Sequence, residues 1–305
     1  MAEKDITQRH LASYNDVFAA IVNACIALLT GRQLFQWVEP DELREAPTRS
    51  LYTSGSQIRE QERDVAKFWI AGGTVLCLLG LENQTAVDPD MPLRVLGYEG
   101  GDYRRQLTRE GMEAHPVLTF VLYFGTERRW PEHLRTLSGR VKFHEELRPL
   151  LNDWRIHVIE LAWLTDREAA LFTGDFRFVV EVLRCIRRDE NIVLTDQVIG
   201  HVDAVLKLLA ALTGERRLEN LPNIKRGEPM TVRNIFADTW DQLREEGRAE
   251  GREEGRKEGR AEGFLHALFS LVQDGMLPIA AAAAKANMSE TDFRARMQEA
   301  EAHKG

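Results

Sequence analysis

Three cysteines in 305 residues exclude a whole class of architecture at the outset. Cys25, Cys77 and Cys185 lie far apart among apolar neighbours, a pattern that supplies neither a disulfide framework nor a thiolate zinc site. The eight histidines show no HxH, HxxxH or HExxH spacing, which argues against a zinc hydrolase. Gly72-Gly73 and Gly100-Gly101 lack the Gly-Lys-Ser/Thr ending of a phosphate loop, and no GxSxG nucleophile elbow occurs. Long apolar runs are missing too. Val17 to Leu29 spans 13 residues and contains Asn23, short of the roughly 18 that a membrane span requires. The opening Met-Ala-Glu-Lys-Asp-Ile has neither the basic nor the apolar region of a signal peptide. The expectation is a soluble, reduced, cytoplasmic protein with no membrane partner.

A basic excess is also lacking. Forty Lys and Arg face 48 Asp and Glu, a net charge of −8, which argues against a protein that simply coats nucleic acid. It leaves room for an enzyme acting on nucleic acid, because a metal site needs carboxylates and the bound cation offsets them. Residues 1–93 sum to −5 and residues 94–148 to +2, an acidic stretch followed by a mildly basic one. Composition is otherwise that of a globular chain, 44% hydrophobic and 29% charged, long enough to bury a core unaided.

Periodicity predicts a helix from about Thr7 to Thr30, with Leu11, Tyr14, Phe18, Ile21, Cys25 and Leu28 on one face and Gly31 as its stop. A polar stretch with Pro40 and Pro47 follows. Arg63 to Ile70 and Thr74 to Leu81 then read as strands joined by a turn at Ala71-Gly72-Gly73. Pro92 to about Ala114 reads as a helix weakened by Gly97, Gly100 and Gly101. Val117 to Phe124 and Trp154 to Ala162 read as further strands, and the tryptophans beside them as core residues. Thr165 and Glu168 form a capping box for a helical region through Arg188, and Thr195 to Thr213 is another helix ending at Gly214. This order predicts one α/β domain over residues 5–215, with a mixed central sheet flanked by helices.

Residues 216–246 read as connector and helix. Residues 247–263 repeat a Gly-Arg-x-Glu-like unit with period four. In a 3.6-residue helix such a period drifts about 40° per repeat, places like charges four apart and carries a glycine penalty. Alone this segment is marginal, so it is expected either to pair with another copy of the chain or to act as a charged spacer. Residues 264–305 read as a small α-helical module with a turn at Asp274-Gly275 and a capping pair at Ser289 and Asp292.

The candidate chemistry lies in the strand pair. Asp64 opens one strand, and Glu82-x-Gln84 closes the next. An antiparallel pairing brings Asp64 near Glu82, while alternation puts Glu82 and Gln84 on one face and Asn83 on the other. Two carboxylates at the end of an apolar strand are costly to bury without a cation. Mg²⁺, bound by one or two carboxylates plus water and substrate phosphate, is the natural choice, with Mn²⁺ as its equivalent. Asp16, on the first helix, is a further candidate ligand. Arg94, Tyr98 and Gln106 recur along the helix after the strands and are candidates for the substrate side.

Glu62-Arg63-Asp64-Val65-Ala66-Lys67, Leu79-Gly80-Leu81-Glu82-Asn83-Gln84 and Met91-Pro92-Leu93-Arg94 together resemble the Rpn/YhgA-like family of recombination-promoting nucleases and transposase-like proteins. Asn15-Asp16-Val17-Phe18, Val121-Leu122-Tyr123-Phe124-Gly125 and the glycine–charged repeat extend the likeness. That family resembles a branch of the PD-(D/E)XK nuclease superfamily. The resemblance implies an α–β–β–β–α–β nuclease core and Mg²⁺-dependent cleavage of DNA phosphodiesters. It makes Asp64 the first metal-binding acid, Glu82 the acid of the (D/E)xK element and Gln84 the position after it, where the wider superfamily usually carries lysine. Glutamine hydrogen-bonds but brings no positive charge. A catalytically weak or inactive nuclease fold, serving as an oligomeric assembly module, is therefore the alternative expectation.

Overall fold

The computed structural model describes residues 3–32, 37–54, 57–107, 114–221, 224–225, 227–236, 256 and 263–302. The chain forms two compact units, residues 1–236 and 237–305. The Gly-Arg-x-Glu repeat at 247–263 lies outside the described residues except for Arg256 and Gly263.

The first unit is α/β. Its helices are α1 (Glu3–Ser13), α2 (Asn15–Thr30), α3 (Met91–Leu107), α4 (Asp166–Ala169), α5 (Gly174–Arg188) and α6 (Val202–Thr213). Strands β1 (Leu43–Glu45), β4 (Val65–Ala71), β5 (Thr74–Gln84), β6 (Val117–Tyr123) and β7 (His157–Glu160) form one sheet in the order β1-β4-β5-β6-β7. The β1, β4 and β5 pairings are antiparallel, whereas β6 runs parallel to β5 and to β7. Two short antiparallel pairs lie outside this sheet, β2 (Arg49–Ser54) with β3 (Gln57–Glu62), and β8 (Val198–Ile199) with β9 (Met230–Thr231). This is the mixed central sheet flanked by helices that the sequence predicts.

Burial on both faces explains the apolar run in β5. Leu79 and Leu81 face the large core built with Phe18, Ile21, Phe120 and Val179, contributed by α2, β6 and α5. The opposite face carries α3, whose Met91 and Val95 pack on Val121 and Tyr123. Hence α3 is the natural partner of the side chains that alternate away from Leu79 and Leu81, namely Gly80 and Glu82.

Several boundaries differ from the sequence reading. The first helix is two, bent by 94° at Tyr14. Leu11 and Phe18 are buried on either side of the break, so apolar spacing does not reveal it. The Asn15 amide donates to the Pro40 and Leu43 carbonyls and pins the corner. The polar stretch before Asp64 contains β1 and the β2–β3 hairpin, which its proline content concealed. The helical region expected from Thr165 to Arg188 divides at Gly174, which takes a left-handed conformation, although the reciprocal Thr165–Glu168 cap is present. The last helix of the domain begins at Val202, because the residues before it pair as β8. The turn at Gly72-Gly73 and the stops at Gly31 and Gly214 all use positive φ, as expected.

In the second unit, α7 (Gly263–Gln273), α8 (Ile279–Lys285) and α9 (Glu290–Ala302) gather around Leu268, Phe269, Ala282, Ala283 and Phe293. Ser289 caps α9, with its hydroxyl engaging both the Asp292 backbone N–H and carboxylate. No single helix among the described residues is long and apolar enough to cross a membrane.

Two glycines make opposite demands. A Cβ at Gly80 would lie 2.6 Å from Cδ and 2.8 Å from a terminal nitrogen of the buried Arg63 side chain, whereas one at Gly100 in α3 meets nothing within 4 Å. Gly80→Ala is expected to destabilise the protein by about 1–3 kcal/mol through overpacking. Gly100→Ala is expected to stabilise it by up to about 1 kcal/mol through helix propensity. Denaturant midpoints of the two variants check both signs.

Candidate active site

The β4–β5 register sets the site. Val65 pairs with Leu81, so Asp64, in the bend just before β4, and Glu82, the next residue of β5, lie at the same end of the pair. Asp64 accepts from the Asn83 backbone N–H at 2.7 Å through one oxygen and from Arg9 Nε at 2.7 Å through the other. Glu82 is fully buried and faces α3. Its Oε2 lies 3.1 Å from an Arg94 terminal nitrogen, and its Oε1 is buried without a hydrogen-bond partner.

Burial pushes the Glu82 carboxyl up to about 8, and repulsion from Asp64 adds to it, with Arg94 and Arg63 pulling the other way. Burial also raises the Asp64 carboxyl from its ordinary value, against the Asn83 N–H and Arg9. The two acids are thus near enough to feel each other, as the strand pairing predicted. Arg94 is itself clamped. It donates to Asp88 at 2.8 Å and to the Tyr98 hydroxyl at 3.1 Å. Burial would lower its basicity, but Glu82, Tyr98 and Asp88 hold it above its ordinary value. Tyr98 donates to the Glu62 carbonyl, and burial pushes its phenol up to about 12, with Glu82 contributing.

Arg94 and Tyr98, expected on the substrate side, therefore stand beside the carboxylate pair. Gln84 ends β5 two residues beyond Glu82 on the same face, with its side chain partly exposed. Gln106 does not join them. It sits near the end of α3, where its carbonyl oxygen accepts from the His115 backbone N–H at 2.8 Å. Asp16 does not join them either. Its carboxylate is exposed and pairs with His201 Nε2 at 3.0 Å. Among the described residues, no group of three or more His, Cys, Asp or Glu side chains could hold a metal.

The sequence reading missed three cations and acids of this region. Arg9 is 55 positions from Asp64 and joins it only because α1 packs on β4 and β5. Arg63 is buried beneath α3, its guanidinium 5.3 Å from the Tyr98 ring and 2.9 Å from Asp102. Glu99 lies in the same cluster, its carboxyl pushed up to about 7, mainly by burial. A signal for Arg63 existed. A glycine inside an apolar strand marks a close approach, and Gly80 is the space through which Arg63 passes.

The two carboxylates fit a hard divalent cation. The bare, buried Oε1 of Glu82 is an acceptor with nothing to accept, and Asp64 retains lone-pair capacity beyond its two hydrogen bonds. Mg²⁺ asks for one or two protein carboxylates and keeps its remaining ligands as water or phosphate, which a two-acid site permits.

Fold and site together define an α/β protein of nuclease-like architecture, with a carboxylate pair at the end of an antiparallel strand pair and a helical C-terminal extension. A family model described as "Putative transposase, YhgA-like" matches residues 66–211, so that over this stretch the chain is similar to that family. The match contains Glu82, Gln84, Arg94 and Tyr98, and begins two residues after Asp64. No curated protein and no solved structure matches the chain. The family description points to a transposase- or nuclease-type role.

The raised carboxyls have a consequence for stability. A carboxyl with a folded pKa above its unfolded value, about 4.3, keeps a proton that the unfolded chain releases. Stability from Glu82 is thus fully present below pH of about 4.3 and is lost as pH rises through about 8. Glu99 adds to the same decline up to about pH 7. In metal-free buffer, the unfolding free energy should fall between pH 5.5 and 8.5, and Glu82→Gln should flatten its upper part. A parent protein with constant or rising stability over that window contradicts the burial of these acids.

Proposed function

We propose that the protein is a Mg²⁺-dependent endonuclease of the recombination-promoting type, hydrolysing DNA phosphodiester bonds. The observation that carries this reading is the Asp64–Glu82 pair, a bare buried acceptor beside a second acid at a strand end. The match to the YhgA-like family model over residues 66–211 supports it.

Asp64 and Glu82 would hold Mg²⁺ or Mn²⁺. When bound, the cation supplies a water of lowered pKa and offsets charge on the phosphodiester. Glu82 must be ionised to serve as a ligand, and its proton is released near pH 8 in the metal-free protein. Binding is therefore favoured as pH rises toward that value. Gln84 lies on the Glu82 face, where its amide orients the attacking water or a phosphate oxygen through hydrogen bonds. Tyr98 fixes Arg94, and the two line the substrate side.

One observation favours a second reading. Position 84 offers no cation to stabilise transition-state charge, which suits an oligomeric assembly module that keeps the fold without cutting. Cleavage of supercoiled plasmid separates the two. Nicking or linearisation is expected with Mg²⁺ or Mn²⁺ and not with EDTA. Asp64→Ala and Glu82→Gln should each reduce it by about 100-fold or more while the protein stays folded. Equal cleavage by both variants contradicts the assignment of these residues. A folded parent that neither cuts nor binds Mg²⁺ at millimolar concentration supports the assembly reading.

A further inference from the structure

Each of the two acids is neutralised by its own arginine. Arg9 pairs with Asp64 at 2.7 Å, and Arg94 pairs with Glu82 at 3.1 Å. With both acids ionised these four groups sum to zero, and Glu62 and Asp88 beside the arginines bring the cluster to −2. A divalent cation entering between the carboxylates takes the place of both guanidiniums at those oxygens and leaves their donors open to other anions.

The arginines are placed to respond. Their side chains are 24% and 36% exposed, whereas those of Asp64 and Glu82 are 9% and 0% exposed, so the guanidiniums sit on the solvent side of their partners. Each also has a second acid that holds it near the site if its first partner is taken, Glu62 at 3.5 Å for Arg9 and Asp88 at 2.8 Å for Arg94. Arg63 is different. It is 2% exposed and held by Asp102 beneath α3, so it is a fixed part of the scaffold. A guanidinium presents a planar fork of donors that matches phosphate oxygens, unlike the compact ammonium of lysine.

We infer that Arg9 and Arg94 are exchangeable counterions: they neutralise Asp64 and Glu82 when no cation is bound, and grip substrate phosphates once a divalent cation claims those carboxylates. This rests on the reading of Asp64 and Glu82 as a cation site. Metal and DNA then bind cooperatively, because the cation frees the donors that grip the phosphates, and the phosphates hold those guanidiniums away from the carboxylates. By linkage the coupling is reciprocal.

The test measures that coupling in the full chain. Mg²⁺ binding is read by calorimetry at pH 8.5. Affinity for a fluorescent 20-base-pair duplex is read by anisotropy in the first minute after mixing, in EDTA and in Mg²⁺. An Asp64→Asn, Glu82→Gln double variant corrects for the effect of Mg²⁺ on the DNA alone. The parent is expected to gain about tenfold in duplex affinity with Mg²⁺ relative to that control. Arg9→Gln and Arg94→Gln should still bind Mg²⁺ by calorimetry and lose most of the gain. Arg9→Lys and Arg94→Lys should keep part of it, which a purely structural role does not predict. A full gain in both glutamine variants overturns the inference, as does a parent that binds Mg²⁺ without any gain. A parent that binds no Mg²⁺ overturns the cation-site reading, and this inference with it.

Discussion

A carboxylate taken out of water at the end of a β-strand is the constraint around which the centre of the first unit is organised. Glu82 is fully buried, and an isolated ion there is prohibitive. The surroundings answer that cost from several directions. Arg94 reaches one oxygen from α3, and Arg63 lies beneath the same helix in the space that Gly80 leaves open. Tyr98 sits over Arg63 and bonds Arg94, so one phenol orders both guanidiniums. Asp64 then undoes part of this relief by placing a second negative charge opposite the first. An arrangement made only for stability would replace such a pair with apolar side chains. Its presence at the end of an otherwise apolar strand is the physical argument for a cation site.

The sheet makes the convergence possible. The antiparallel β4–β5 pair brings two acids 18 positions apart to one end of the pair, while the parallel crossover from β5 to β6 lays α3 over Glu82. Arg94 and Tyr98, four apart, therefore point at one spot from one helical face. The same crossover separates the site from the main apolar core, which occupies the other face with Leu79 and Leu81.

Much of this was legible in the sequence, and the reasons are particular. The tight turn at Gly72-Gly73 announced the antiparallel return, and period-two alternation assigned Glu82 and Gln84 to a common face. The apolar run of β5 marked a strand covered on both sides. What remained hidden depends on tertiary packing. Arg9 is brought to Asp64 by the docking of α1, and no local pattern encodes a contact across 55 positions. The break at Tyr14 keeps helical periodicity on both sides and is set by the Asn15 bonds to another segment. Asp16 looked like a further acid projecting from the first helix, yet it pairs with His201. Gln106 fell on the predicted helical spacing but lies eight residues beyond Tyr98, far enough along α3 to meet the entry of β6 instead.

The central claim is that Asp64 and Glu82 form a divalent-cation site on a nuclease-like core. Crystals grown in millimolar Mn²⁺ and examined at the manganese absorption edge test it most directly. An anomalous peak between the Asp64 and Glu82 carboxylates, with Arg94 drawn away from Glu82, is the predicted result. Density with the Arg94–Glu82 pair intact and no peak between the acids would contradict it.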